Sequence, residues 1–70
     1  MVRRIVIFKK GFSDPTRQRA FLREHGAKIV RDLGIINGVA IEIPREKEGS
    51  LLKASEVSRV DTDEAVVRAL

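Results

Sequence analysis

Apolar and polar residues alternate along this chain in short segments that are typical of β-strands. Residues 39–43 show the clearest alternation of aliphatic with small or charged side chains, and this period of two predicts a strand with one buried face. Residues 4–8 form an apolar, β-branched run, which predicts a strand buried on at least one face. The same reasoning predicts strands at 27–33 and 57–63.

The alternation also assigns a direction to individual side chains. On the third predicted strand Ala40 and Glu42 point outward, opposite the aliphatic residues that alternate with them. On the second predicted strand Ile29 and Leu33 share one face, and Lys28 and Asp32 share the other. An Asn-Gly dipeptide stands directly before the third strand and predicts a turn there.

A helix is predicted over residues 15–25. Asp14 can cap its first backbone N–H groups, and Pro15 suits the first turn, where a missing N–H costs nothing. Gly26 is predicted to end the helix in the left-handed conformation that glycine adopts without strain. Phe21 is the predicted anchor of this helix in the core.

A second, short helix is predicted over residues 48–54, with Leu51 and Leu52 both pointing inward. Pro44 ends the strand before it, because proline cannot donate a hydrogen bond to a sheet. The elements then follow the order β-α-β-β-α-β. That order predicts an α+β, ferredoxin-like fold, in which a four-stranded antiparallel sheet carries two helices on one face.

The composition limits the classes of protein to which the chain can belong. Its 70 residues make one small domain, in which Val, Ile, Leu and Phe supply 23 apolar side chains. Cysteine is absent, so a disulfide or a thiolate zinc site is excluded, and no metal or other cofactor is predicted. A chain this short has little room for a catalytic pocket, and its single histidine, His25, stands at a predicted helix end. We therefore expect a binding domain rather than an enzyme.

The charge of the chain is unevenly distributed. The formal net charge is +4, but residues 1–35 carry nine basic and three acidic groups, whereas residues 36–70 carry five basic and seven acidic groups. An excess of positive charge favours an acidic partner such as nucleic acid. A charged fraction of 34% with a single Asn and a single Gln is also typical of heat-adapted proteins.

The open face of a ferredoxin-like sheet indicates what such a domain binds. On the last predicted strand Arg59, Asp61 and Asp63 project together onto that face. The outward residues are predicted to be small or charged, and Phe8 is the only aromatic residue on any predicted strand, whereas RNA-binding sheets stack bases on aromatic rings. The two carboxylates either discourage edge-to-edge aggregation or bind the positively charged N-termini of a partner's helices.

The segment after the last strand, residues 64–70, is largely apolar and ends in Leu70. One interpretation is a frayed C-terminus, which is common at domain ends. The other is a protease substrate, because endopeptidase clefts bind extended peptides through main-chain hydrogen bonds and side-chain pockets.

Four segments of the chain form a more specific pattern. They are IVIF at 5–8, HG at 25–26, INGVAIEIP at 36–44 and VSRVDTD at 57–63. In this order and spacing they resemble the subtilisin propeptide-like inhibitor family over nearly the whole chain. The resemblance implies a ferredoxin-like domain, residues 1–63, that precedes a subtilisin-like serine protease, assists its folding and then inhibits it.

The resemblance also implies roles for individual residues. The open sheet face would dock on two parallel surface helices of the protease, with Asp61 and Asp63 at the N-termini of those helices. Glu42 and Arg59 would be further contacts on the same face. The chain would be exported with its protease, would be a monomer when free, and would have no nucleic-acid or membrane partner.

Residues 64–70 would then be an extended tail in the protease cleft. The implied cleft contacts are Val67, Arg68, Ala69 and Leu70. The tail is one residue longer than the family's usual spacing, so either the linker at 64–66 bulges or Ala69 replaces Leu70 as the terminal contact.

Three further hypotheses stay open at the level of sequence. The chain could be a free-standing subtilisin inhibitor of the same family. It could be a small basic nucleic-acid-binding module, or a ferredoxin-like regulatory domain that has no connection with a protease.

Overall fold

Strands and helices follow the order β-α-β-β-α-β in residues 1–62, the part of the chain that the computed structural model describes. The strands are β1 (Val2–Phe8), β2 (Lys28–Leu33), β3 (Gly38–Ile43) and β4 (Val57–Thr62), and the helices are α1 (Pro15–Glu24) and α2 (Arg45–Lys53). All pairings are antiparallel, and the order across the sheet is β2-β3-β1-β4. This is the predicted α+β, ferredoxin-like fold.

The core lies between the two helices and one face of the sheet. Leu22 of α1 and Leu51 of α2 are fully buried, and they belong to one cluster with Val6, Val39 and Ile41 of the central strands. Burying an aliphatic side chain of this size contributes about 1.5–3 kcal/mol to folding. The alternation that predicted β3 is therefore confirmed, because its inward residues are those that the helices cover.

The ends of α1 follow the predicted capping chemistry. The Asp14 carboxylate accepts a hydrogen bond from the backbone N–H of Thr16 at 2.9 Å, and Pro15 occupies the first turn. His25 is the C-terminal cap, and Gly26 has a φ of 81°, in the left-handed region. The predicted start and end of this helix are confirmed to within one residue.

The predicted anchor of α1 was wrong. Leu22 is fully buried, whereas Phe21 is only half-buried and packs edge-on against the rings of Phe8 and Phe12, with centroids 5.7 and 5.8 Å apart. Gln18, four residues before Leu22, is the other buried side chain of the helix. The inward line of α1 therefore runs through positions 18 and 22, which lie on one face at helical spacing.

The second helix differs from its prediction in two ways. It begins at Arg45, directly after Pro44 and three residues earlier than predicted, and its first turn carries Glu46 and Glu48. Acidic residues are favourable there because they face the positive end of the helix dipole. Leu52 is 61% exposed, so its predicted inward orientation was wrong: successive helical residues are about 100° apart, and Leu51 already takes the inward position.

A bulge in β2 reverses the predicted faces of its second half. Ile29 lies opposite Ile41, but the register shifts at Val30, and Leu33 then lies opposite Gly38. Because paired residues of antiparallel strands share a face, Ile29 packs toward the helices while Leu33 lies on the open face. The prediction that the two share one face was wrong, since a bulge changes the alternation by one residue.

Ion pairs connect the helices to the sheet. Arg4 of β1 binds Glu48 of α2, and both side chains are about one-fifth exposed; Arg19 of α1 binds Asp32 of β2 at a more exposed position. Both sheet residues lie on the helix-covered face. Charged residues on this face are thus matched by the helices above them.

Candidate docking face

The sheet face opposite the helices is open in the described part of the chain. The residues that the pairing register places on it are Lys28, Arg31 and Leu33 of β2, Gly38, Ala40 and Glu42 of β3, Arg3, Ile5 and Ile7 of β1, and Arg59 and Asp61 of β4. We call this set the open face. The predicted outward directions of Ala40, Glu42, Arg59 and Asp61 are confirmed.

The centre of the open face is apolar. Ile7 and Leu33 are half-buried there on either side of Gly38, and Ile5 is only 2% exposed. A side chain at Gly38 would place its Cβ 2.9 Å from the Ile7 Cδ1 and 2.8 Å from the Val6 carbonyl oxygen. Glycine at this position therefore leaves room for the Ile7 side chain.

The expectation that the open face carries only small or charged residues was wrong. β1 is one of the two central strands, and both of its faces are apolar in the segment 5–8. The uninterrupted apolar run was the available signal, because a strand with a solvated face normally alternates. Leu33 gave no such signal, since only the bulge brings it to this face.

The apolar surface extends beyond the sheet onto the short 3-10 turn between β2 and β3, Gly34–Ile36. Ile36 is 42% exposed, and its Cγ1 is 3.5 Å from the Cβ that a residue at Gly38 would have, so it continues the patch of Ile7. Ile35 is fully exposed. Clustered exposed aliphatic side chains are typical of surfaces that another protein covers.

Charged residues flank this apolar centre. On the edge strand β4 the Nε of Arg59 lies 3.0 Å from a carboxylate oxygen of Asp61, with 70% and 29% of the two side chains exposed. Across the central strands Arg3 and Glu42 approach to 4.0 Å. Exposed pairs of this kind contribute about 0–1 kcal/mol to folding, so a partner could bind Asp61 in place of Arg59 at little cost to stability.

The remaining predicted contacts lie outside the described residues. These are Asp63 of the carboxylate pair and the tail residues Val67, Arg68, Ala69 and Leu70. The fold therefore positions one carboxylate of the pair, Asp61, at the edge of the open face.

The three phenylalanine rings of the chain all lie on the helix side of the sheet. Phe8, Phe12 and Phe21 contact one another with centroids 5.3 to 5.8 Å apart, and they pack in or against the main core cluster. The chain has no Trp or Tyr. The open face thus has no aromatic ring on which a nucleic-acid base could stack.

His25 joins the end of α1 to α2. Its Nδ1 lies 3.0 Å from the Ser50 hydroxyl, which itself donates to the Lys47 carbonyl at 2.8 Å. Because the single hydroxyl proton is used in that bond, Ser50 accepts from the Nδ1–H of His25. The imidazole also lies 4.5 Å from the Phe21 ring, centroid to centroid. These contacts are those of a helix-end residue that holds two helices together.

Comparisons with known proteins do not assign the chain to a family. No protein-family model matches the chain, and no curated protein sequence matches it significantly. Among the residues that the structure describes, no three His, Asp or Glu side chains cluster as metal ligands would, and no helix is long and apolar enough to cross a membrane.

Proposed function

We propose that the chain is the propeptide domain of a subtilisin-like serine protease. In this role it assists the folding of the protease and then inhibits it as a cleaved product that stays bound. Two parts of the chain act together: the open face docks on the surface of the protease, and residues 64–70 occupy its cleft. The domain and its protease would be exported together.

The observation that carries this proposal is the open face itself. It combines an apolar centre around Ile7 with a carboxylate, Asp61, on the exposed edge strand. An apolar centre with charged residues at its rim is the usual composition of a protein-binding surface. A carboxylate at the rim matches helix N-termini, whose unpaired N–H groups and dipole attract negative charge.

Docking through the open face would explain why a short tail suffices for inhibition. The folded domain holds its C-terminal segment next to the cleft, which raises the local concentration of the tail far above that of a free peptide. Inhibition of this kind needs no covalent bond. It lasts until the protease unfolds or degrades the domain.

The direct test is inhibition of a purified subtilisin-like protease. We expect the chain to reduce hydrolysis of a chromogenic peptide at micromolar or lower concentration, and the inhibition to decay slowly as the protease digests the chain. A trypsin-like serine protease serves as the control, because it shares the catalytic chemistry but not the surface helices. Undiminished subtilisin activity at micromolar chain contradicts the proposal.

Replacing the open-face carboxylate should weaken this inhibition. An interaction between a carboxylate and a helix N-terminus is worth about 0.3–2 kcal/mol, so Asp61→Asn should raise the inhibition constant roughly 2- to 30-fold. Glu24→Gln is the matched control, because it makes the same carboxylate-to-amide change at an exposed position of α1, away from the open face. If Glu24→Gln weakens inhibition as much as Asp61→Asn, the Asp61 carboxylate has no specific role.

A free-standing inhibitor of the same family would have the same open face and tail. The inhibition assay does not separate it from a propeptide, but refolding does. A propeptide should raise the yield of active protease when the denatured protease is refolded in its presence. A free-standing inhibitor should leave that yield unchanged.

A further inference from the structure

The single Asn and the single Gln of the chain are hydrogen-bonded to each other. Gln18 of α1 is 4% exposed, and its Nε2 donates to the Asn37 Oδ1 at 2.9 Å and to the Phe12 carbonyl at 2.8 Å. The Asn37 Nδ2 donates to the carbonyl oxygens of Phe8 at 3.2 Å and Lys9 at 3.1 Å. The two carboxamides therefore join β1, the loop after it, α1 and the β2–β3 connection.

Asn37 also directly precedes Gly38, and this dipeptide is chemically labile in a flexible chain. The backbone nitrogen of Gly38 attacks the Cγ of Asn37, and glycine offers no side chain to hinder the approach. A bond forms between that nitrogen and Cγ, the bond from Cγ to Nδ2 breaks, and ammonia leaves with the proton of the Gly38 nitrogen. Water then opens the resulting five-membered imide at either carbonyl, which gives aspartate or isoaspartate.

The fold opposes this reaction at its first step. The Asn37 carboxamide makes three hydrogen bonds, and its backbone is held in the left-handed region with a φ of 55°. Gly38 is buried and lies in the ladders of β3 with both β1 and β2. Turning Cγ onto the Gly38 nitrogen requires these hydrogen bonds to break, so the reaction needs local opening of the domain.

We propose that Asn37–Gly38 is a fold-gated deamidation site, protected in the folded domain and reactive in the unfolded chain. Deamidation would then make unfolding irreversible. An aspartate at 37 places a carboxylate against the carbonyl oxygens of Phe8 and Lys9, which have no proton to share with it. An isoaspartate adds a backbone atom at the start of β3 and disturbs its register. The proposal does not depend on the protease function.

The test compares the folded chain with the chain in concentrated urea, in the same mildly alkaline buffer and at the same temperature. Peptide mapping by mass spectrometry measures conversion at Asn37. We expect conversion in the folded chain to be at least about tenfold slower, since it must pass through an opened state. Refolding yield after dilution of the urea should fall with holding time, in step with the converted fraction. Equal rates in the two states overturn the proposal.

Three variants separate the effect of the carboxamide hydrogen bonds on deamidation from the effect of global stability. Asn37→Gly tolerates the left-handed backbone and cannot deamidate, so its refolding yield should stay constant with holding time; a yield that falls as fast as that of the original chain overturns the proposed cause. Gln18→Ala removes one hydrogen bond to the carboxamide, and Ile41→Val trims the core elsewhere. At urea concentrations that give both variants equal unfolded fractions, Asn37 should deamidate several-fold faster in Gln18→Ala than in Ile41→Val. Equal conversion of these two variants shows that the carboxamide network does not gate the site.

Discussion

A chain whose residues 67–70 are removed should lose most of its inhibition of a subtilisin-like protease. Side chains that fill pockets at the centre of an interface carry most of its binding energy, typically about 2 kcal/mol or more each when truncated. Loss of the tail should therefore raise the inhibition constant at least about 100-fold. The fold should persist, because the sheet, both helices and the core lie within residues 2–62.

Two measurements check this expectation. The inhibition constant is determined for the truncated chain and for a control in which Val67, Arg68, Ala69 and Leu70 are replaced by a Gly-Ser segment of equal length. Circular dichroism and thermal unfolding of all three chains report whether the domain stays folded. If the folded, truncated chain inhibits as well as the original, the assignment of the tail to the cleft is wrong and the open face alone is the inhibitory surface.

The largest expected effect on stability comes from a single residue of α2. Leu51 is fully buried in the main cluster, so Leu51→Ala removes buried methyl groups and leaves a cavity, at a cost of about 2–5 kcal/mol. Domains of this size rarely have more than about 3–5 kcal/mol of stability. Leu51→Ala should therefore leave much of the protein unfolded at room temperature.

The neighbouring residue provides the control. Leu52 is chemically identical and lies on the same helix, but it is 61% exposed. Leu52→Ala should change the free energy of unfolding by no more than about 0.5 kcal/mol. Urea unfolding followed by circular dichroism gives both values. Equal destabilisation by the two variants would mean that Leu52 is buried in solution and that α2 packs with a different face.

These two leucines also show which features of the fold can be predicted from the sequence. The order of elements and the faces of β3 follow from local patterns: a period of two, a proline that ends a strand, and a capping aspartate before a proline. The rotation of a short helix about its own axis does not follow from such local patterns. In α2 the sequence offers two adjacent leucines, and only packing in the main core cluster decides that Leu51 turns inward.

The residues of the open face also divide into those that the sequence predicts and those that it does not. The outward directions of Asp61 and Arg59 could be predicted because β4 alternates regularly through them. The apolar centre could have been predicted in part from the unbroken apolar run of β1. The contribution of Leu33 could not, because it depends on the bulge at Val30, which is set by the pairing of β2 with β3 rather than by any local signal.

The position of β1 in the sheet has a consequence for how the domain folds. β1 comes first in the chain but lies at the centre of the sheet, where its ladder partners are residues 38–43 on one side and 57–62 on the other. During synthesis this strand stays without either partner until more than half of the chain has been made. Contacts between such distant segments slow folding and make it cooperative. We therefore expect shorter N-terminal fragments to remain unfolded, and the domain to form in one step once β4 is available.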